Sequence, residues 1–218
     1  MNSASAISIV SDVGSGRPTV ILIEKSEYAS FADVIASRLQ ARFRVMVLAS
    51  EEILPDNYES ITAEIFHILS SLEVRHGQFV GLGSAAALVQ NLALHNPRLV
   101  RSMVVVDASM RPHPTRTERV LDSLERGLPF GLPLRLTPIG FNVRAFAHRL
   151  RCPILLIASK YSNSFVRREL RELSYKAPTA WYMDISESND QAKEIVSLID
   201  AFQGIPAKSP QKNLQVAL

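Results

Sequence analysis

Ser84 follows Gly81-Leu82-Gly83, at the point where a short apolar run gives way to a helical pattern. A hydroxyl there could attack a carbonyl carbon if a base within hydrogen-bond reach took its proton and a third group oriented that base. Histidine is the usual base near neutral pH, and the chain has five: His67, His76, His95, His113 and His148. His67 falls inside a helical pattern, and His76 and His95 fall at loop or helix-end positions, so these three read as structural or surface residues. His113 and His148 lie in a proline-rich stretch and could face a cleft. Ser84, at a helix start, also suits plain capping. Cys152 is the one cysteine, so the chain closes no disulfide of its own, which fits a reducing compartment. No metal and no cofactor are expected.

Charge is unevenly placed. The chain carries a formal +3. Residues 110–151 hold eight arginines (Arg111, Arg116, Arg119, Arg126, Arg135, Arg144, Arg149 and Arg151) against Glu118, Asp122 and Glu125, a local +5 that leaves the remainder slightly acidic. Guanidinium forks suit carboxylate or phosphate. The stretch therefore reads as a basic lid over an anionic ligand, with Arg111 and His113 as binding candidates. The plainer alternative is a solvated helix in which Arg119 and Arg126 pair with the neighbouring carboxylates. Its apolar run Leu128–Leu134 suits a flap over an apolar small molecule, a docking surface for a protein partner, or simple packing. Nucleic acid is not expected, because no recognition motif and no interleaved aromatics accompany the charge. No apolar run approaches the roughly 18 residues of a membrane span, and the first residues do not read as a signal peptide. A cytoplasmic protein away from membranes is expected.

The elements that must position these residues alternate in period. Strands are expected at Ile7–Val10, Thr19–Ile23, Arg44–Ala49, Gln78–Gly81, Ser102–Asp107, Pro153–Ser159 and Ala180–Asp184, nearly continuous in apolar character as in a parallel sheet buried on both faces. Between them, Phe31, Ile35, Leu39 and Phe43 step at helical spacing, as do Ile61, Ile65, Ile68, Leu69 and Leu72. Leu88 and Leu92, then Val166, Leu170 and Leu173, then Ile195, Leu198, Ile199 and Phe202 mark three more helices, with Asn163 or Ser164 capping the second of these. The pattern is α/β: a three-layer α/β/α sandwich around a mostly parallel sheet. One domain is expected over 1–203, with 110–151 as a short lid insertion and 204–218 as a flexible tail.

The segment FVGLGSAAALVQNLALHNPRLVRSMVVVDAS, Phe79 to Ser109, resembles the nucleophile-elbow region of α/β-hydrolases, in which a strand ends in G-x-S-x-G and a helix and a strand ending in aspartate follow. Val13 to Leu22 resembles the hairpin and strand before that family's oxyanion loop, Cys152 to Ile157 its late strand, and Glu194 to Phe202 its closing helix. The resemblance implies four catalytic places. Gly83 stands at the nucleophile position, which it shares with the non-hydrolytic N-myc downstream-regulated branch, and Ser84 is one residue late. The base loop, Ile185 to Asp190, has no histidine. The loop Ala158 to Asn163 has no carboxylate, although Asp107 stands where some members carry the acid. Glu24-Lys25 replaces the His-Gly pair of the oxyanion loop, and a carboxylate there repels a developing oxyanion.

The expectation is a catalytically degenerate α/β-hydrolase-fold protein acting as a small-molecule-binding, regulatory or scaffold protein. Its ligand-binding candidates are Glu24, Lys25, Gly83, Ser84, Arg111 and His113. The alternative is an esterase- or thioesterase-like hydrolase, or a lyase or cyclase, with non-standard catalytic residues drawn from Ser84, Asp107, His113 and His148.

Overall fold

A computed structural model describes residues 7–53, 57–108 and 146–203. Apart from 146–151, the insertion expected at 110–151 lies outside the described residues, and so does the tail from 204. Seven strands form one sheet among the described residues: β1 Ile7–Val13, β2 Arg17–Glu24, β3 Phe43–Ser50, β4 Gly77–Leu82, β5 Val100–Val106, β6 Ile154–Ala158 and β7 Ala180–Asp184. They are joined by α1 Lys25–Leu39, α2 Tyr58–Ser71, α3 Ala86–His95, α4 Ser164–Lys176 and α5 Gln191–Gln203. Short 3-10 turns lie at Gly83–Ala85 and Ala147–Arg149.

The strand order is β1-β3-β2-β4-β5-β6-β7, with β1 antiparallel to β3 and every other pair parallel. Successive strand side chains point to opposite faces. In β2, Val20 and Leu22 therefore enter one core while Ile21 and Ile23 enter the other. Helices α2, α3 and α4 cover the first face, and α1 and α5 cover the second. Both faces are dry, which is why the inner strands show no polar alternation. Helix α1 buries Ala32, Ile35, Ala36 and Leu39, one stripe at helical spacing. Helix α4 is capped by Asn163, whose side chain accepts from the Val166 amide at 2.9 Å.

Two expectations change. The turn at Gly14–Gly16 does not close a hairpin: β1 pairs with β3, because both flanks of β2 are taken by β3 and β4. The half-polar β1 is left for the edge, where exposed residues are tolerated. Phe43 does not extend α1; the helix stops at Leu39 and Phe43 opens β3.

From β2 the chain crosses through α1 to β3 on one side, then through α2 to β4 on the other. The winding direction therefore reverses between β2 and β4. Their carboxyl ends form a topological switch point, the place where open α/β sheets bind ligands.

Cys152 lies just before β6, half-buried against the first core. Burial pushes its thiol up to about 12. Thiolate is the reactive form, so Ellman's reagent at about pH 8 should leave the folded protein unmodified and titrate one thiol after unfolding. Rapid modification of the folded protein would show that the segment before β6 opens locally.

Candidate functional site

Strand β2 runs into α1 with no intervening residue, and Glu24 is both the last strand residue and the extended N-cap of the helix. Its carboxylate makes no capping bond. It turns toward the neighbouring strand end instead, where the Ser84 hydroxyl donates to Glu24 Oε2 at 2.5 Å. Ser84 is sixty residues away in sequence and is brought there by the parallel register of β2 on β4. Both residues are half-buried. Ser26 makes a longer contact to Glu24 Oε1, at 3.4 Å. Tyr58, buried at the start of α2, has its phenol raised above the ordinary range by burial and then by the charge of Glu24. Capping, the plain expectation for Ser84, is not what it does: no side chain caps the turn at Gly83–Ala85.

Gly83 takes φ 56°, in the left-handed region. Gly81 is needed for a different reason. A β-carbon there would collide with Cα of Ala86 and lie 3.0 Å from that residue's N and Cβ. The strand thus meets α3 backbone to backbone, which brings Ser84 to the strand end.

Asp107 directly follows β5 next door, at φ 53°. Its Oδ1 accepts the Ser159 amide at 2.7 Å and the Ser162 hydroxyl, and its Oδ2 accepts the Ser159 hydroxyl. The carboxylate is thereby bound to the loop between β6 and α4. The loop after β7 is fixed by Gln191, whose Nε2 donates to the Ile185 and Ser188 carbonyls at 2.7 Å each. Its Oε1 accepts the Lys160 amide at 3.2 Å, joining the two loops.

The other candidates separate. Lys25 turns away from Glu24 to pair with Glu51 at 2.6 Å. His148 is exposed on the turn at Ala147–Arg149. Arg111 and His113 lie outside the described residues. Among the described residues, no three His, Cys, Asp or Glu side chains converge to hold a metal ion, and no helix is long and apolar enough to cross a membrane. An open cleft of about 580 Å³ lies at the opposite edge of the sheet, lined by residues such as Phe66, Arg75, His95 and Arg98, and contains none of the candidates.

No protein-family model matches the chain, and no curated protein matches its sequence. Solved structures do match in shape. A structure titled as an N-acyl homoserine lactone degrading enzyme superposes with a TM-score of 0.69 at 15% identity, covering 90% of this chain and 96% of the other. A thermophilic esterase from Thermogutta terrifontis gives 0.69 at 13% identity, over 90% and 92%. An enol-lactonase from Burkholderia xenovorans gives 0.65 at 13%, over 90% and 96%. The chain has the α/β-hydrolase fold.

In an α/β-hydrolase the nucleophile stands on the sharp turn after the central strand. Here that turn follows β4, and its left-handed residue is Gly83. Glu24 ends β2, the strand beside it, and leads directly into α1. The sequence points to Glu24 and Ser84 separately, but it does not join them. Tyr58, Ser159, Ser162 and Gln191 have no signal as site residues in the sequence. Each acquires its place through contacts with residues more than thirty positions away, apart from Gln191's contacts within its own loop.

Proposed function

We propose that this is a non-hydrolytic protein of the α/β-hydrolase fold that binds a small molecule at the carboxyl edge of its sheet and acts as a binding, regulatory or scaffold protein. The observation that carries the reading is the Ser84–Glu24 hydrogen bond beside Gly83. The hydroxyl nearest the elbow donates its hydrogen bond to a carboxylate, and carboxylates as a class are much weaker bases than imidazole. That carboxylate also places negative charge where acyl transfer builds more of it. Asp107 supports the same reading, since its oxygens are taken by the neighbouring loop and it orients no histidine among the described residues.

One observation favours a second reading. The Ser84 Oγ to Glu24 Oε2 distance of 2.5 Å is also the reach of a nucleophile and its base, and structural neighbours include an esterase and lactonases. On that reading the protein is a hydrolase with Glu24 as base.

Fluorophosphonate labelling, run beside turnover of short-chain p-nitrophenyl esters, separates the two. The expected result is no labelling at Ser84 and no ester turnover above that of Ser84→Ala. Labelling or turnover that disappears in Ser84→Ala would overturn the non-hydrolytic reading and establish the second.

A further inference from the structure

Helices α2 and α3 both end at the amino edge of the sheet, and the connections that lead from them into β4 and β5 wall the open cleft of about 580 Å³. That volume lies in the range that holds small molecules. The walls are fixed by the backbone. The Val74 amide donates to the Leu69 carbonyl at 2.8 Å and the Glu73 amide to the Ser70 carbonyl at 3.1 Å, closing α2. The Asn96 amide donates to Leu92 at 2.7 Å and the Leu99 amide to Asn96 at 3.0 Å, closing α3. The Gly77 amide donates to the Leu99 carbonyl at 2.9 Å and ties the two connections together. These bonds occupy helix-end carbonyls that would otherwise lack donors. A ligand entering between such walls orders little backbone, which favours binding.

The lining has two characters. Phe66 contributes an apolar ring that is 46% exposed, and the mostly buried Val74 and Leu99 line the cleft as well. Arg75 and Arg98 contribute guanidinium groups, one from each connection. Both are exposed, and among the described residues neither has a carboxylate within ion-pair reach. Glu73 is the carboxylate of the lining. Its charge also acts on Arg44, which is held above its ordinary range by hydrogen bonds to Asp12 and then by the charges of Asp12 and Glu73. His95 donates from Nδ1 to the Asn91 carbonyl of its own helix at 3.0 Å and adds no negative charge. Two guanidinium groups against one shared carboxylate leave the cleft positive beside an apolar ring.

We propose that this cleft is a second ligand site, for an anion carried on an apolar body: a carboxylate or phosphate head held by Arg75 and Arg98, with a ring laid against Phe66. Guanidinium forks pair with either head in bidentate fashion, and such charge-assisted bonds are roughly twice as strong as neutral ones. The site goes beyond the carboxyl-edge reading above and does not depend on what Ser84 does. It is equally independent of the arginine-rich insertion, because both of its arginines belong to the connections into β4 and β5.

The test is an amide-resolved NMR titration of the full chain at neutral pH with benzoate, phenyl phosphate, benzamide and acetate. Benzoate and phenyl phosphate should both give saturable shifts at the amides of residues 73–75, 95, 96, 98 and 99, and the tighter of the two identifies the head group. Benzamide keeps the ring and loses the charge, and acetate keeps the charge and loses the ring. Each should bind about tenfold more weakly than the aromatic anions. Arg75→Gln and Arg98→Gln should each weaken those anions about tenfold, and Phe66→Ala should weaken them a few-fold. All three side chains are exposed, so these variants keep the fold. No saturable shift with either aromatic anion up to about 100 mM, benzamide or acetate binding as tightly as they do, or unchanged binding in the double variant Arg75→Gln/Arg98→Gln would each overturn the proposal. Shifts confined to residues 24–26 and 82–86 would place the anion at the carboxyl edge and overturn it as well. Fluorophosphonate labelling reads the opposite edge of the sheet, so either reading can fail without the other.

Discussion

Gly81→Ala lowers the unfolding free energy by about 3 kcal/mol, the upper end of the usual cost of forcing one extra carbon into a packed interior. The expectation follows from where the β-carbon must go. It would meet Cα, Cβ and N of Ala86 at once, and Ala86 opens α3. Neither partner can yield alone. Gly81 is paired in β4 with β2 on one side and β5 on the other, and α3 is held to the core by Leu88, Val89 and Leu92, all at most 1% exposed. Relief would require α3 to lift from the sheet as a unit, uncovering buried apolar area. Urea unfolding checks this as a lower midpoint at unchanged slope, which marks a stability change without a change in the unfolded chain. A loss below about 1 kcal/mol would mean that α3 is loosely seated, and the position of Ser84 would be loose with it.

Asp107→Ala has a comparable effect by a different route. The carboxylate accepts one backbone amide and two hydroxyls from the loop after β6. Truncation leaves those donors unpartnered at a site where Ser159 and Ser162 are buried. Orphaned buried donors cost about 1 to 3 kcal/mol each when no water replaces the partner, and alanine adds strain at φ 53°. About 3 kcal/mol of lost stability is expected, with Asp107→Asn losing about 1 kcal/mol, because asparagine keeps an acceptor and tolerates the left-handed region. If Asp107→Ala proved neutral, water would be filling the space, and Asp107 would be free for another task.

The inner strands β2 to β6 could be read from the chain because burial on both faces writes itself as nearly unbroken apolar runs. Their ends were harder to place. Residues 11–13 of β1 were missed, since Ser11 and Asp12 lie on a half-exposed edge strand and break the run. The first two turns of α1 were missed because they carry few buried residues to mark the period. The partner of β1 was also hidden: strand order depends on which flanks the crossovers occupy, and no local pattern records that. The site was legible as a set of positions. Glycine at the elbow, glutamate at the end of β2 and the absent histidine in the base loop all follow from alignment to a resembled pattern. Ser84 and Glu24 became a pair only when β2 lay on β4. A serine at the start of a helix is ordinarily a cap, and nothing local signals that its hydroxyl is needed across the sheet.

The left-handed turn at Gly83 has an evolutionary consequence. Any other residue held at that φ costs about 1 kcal/mol or more, which an enzyme tolerates because the turn aims its nucleophile. Glycine carries no such cost. A lineage in which turnover confers no advantage therefore meets no folding barrier on the way from serine to glycine, and meets one on the way back. At Gly83, the stability of the fold is by itself enough to keep glycine in place.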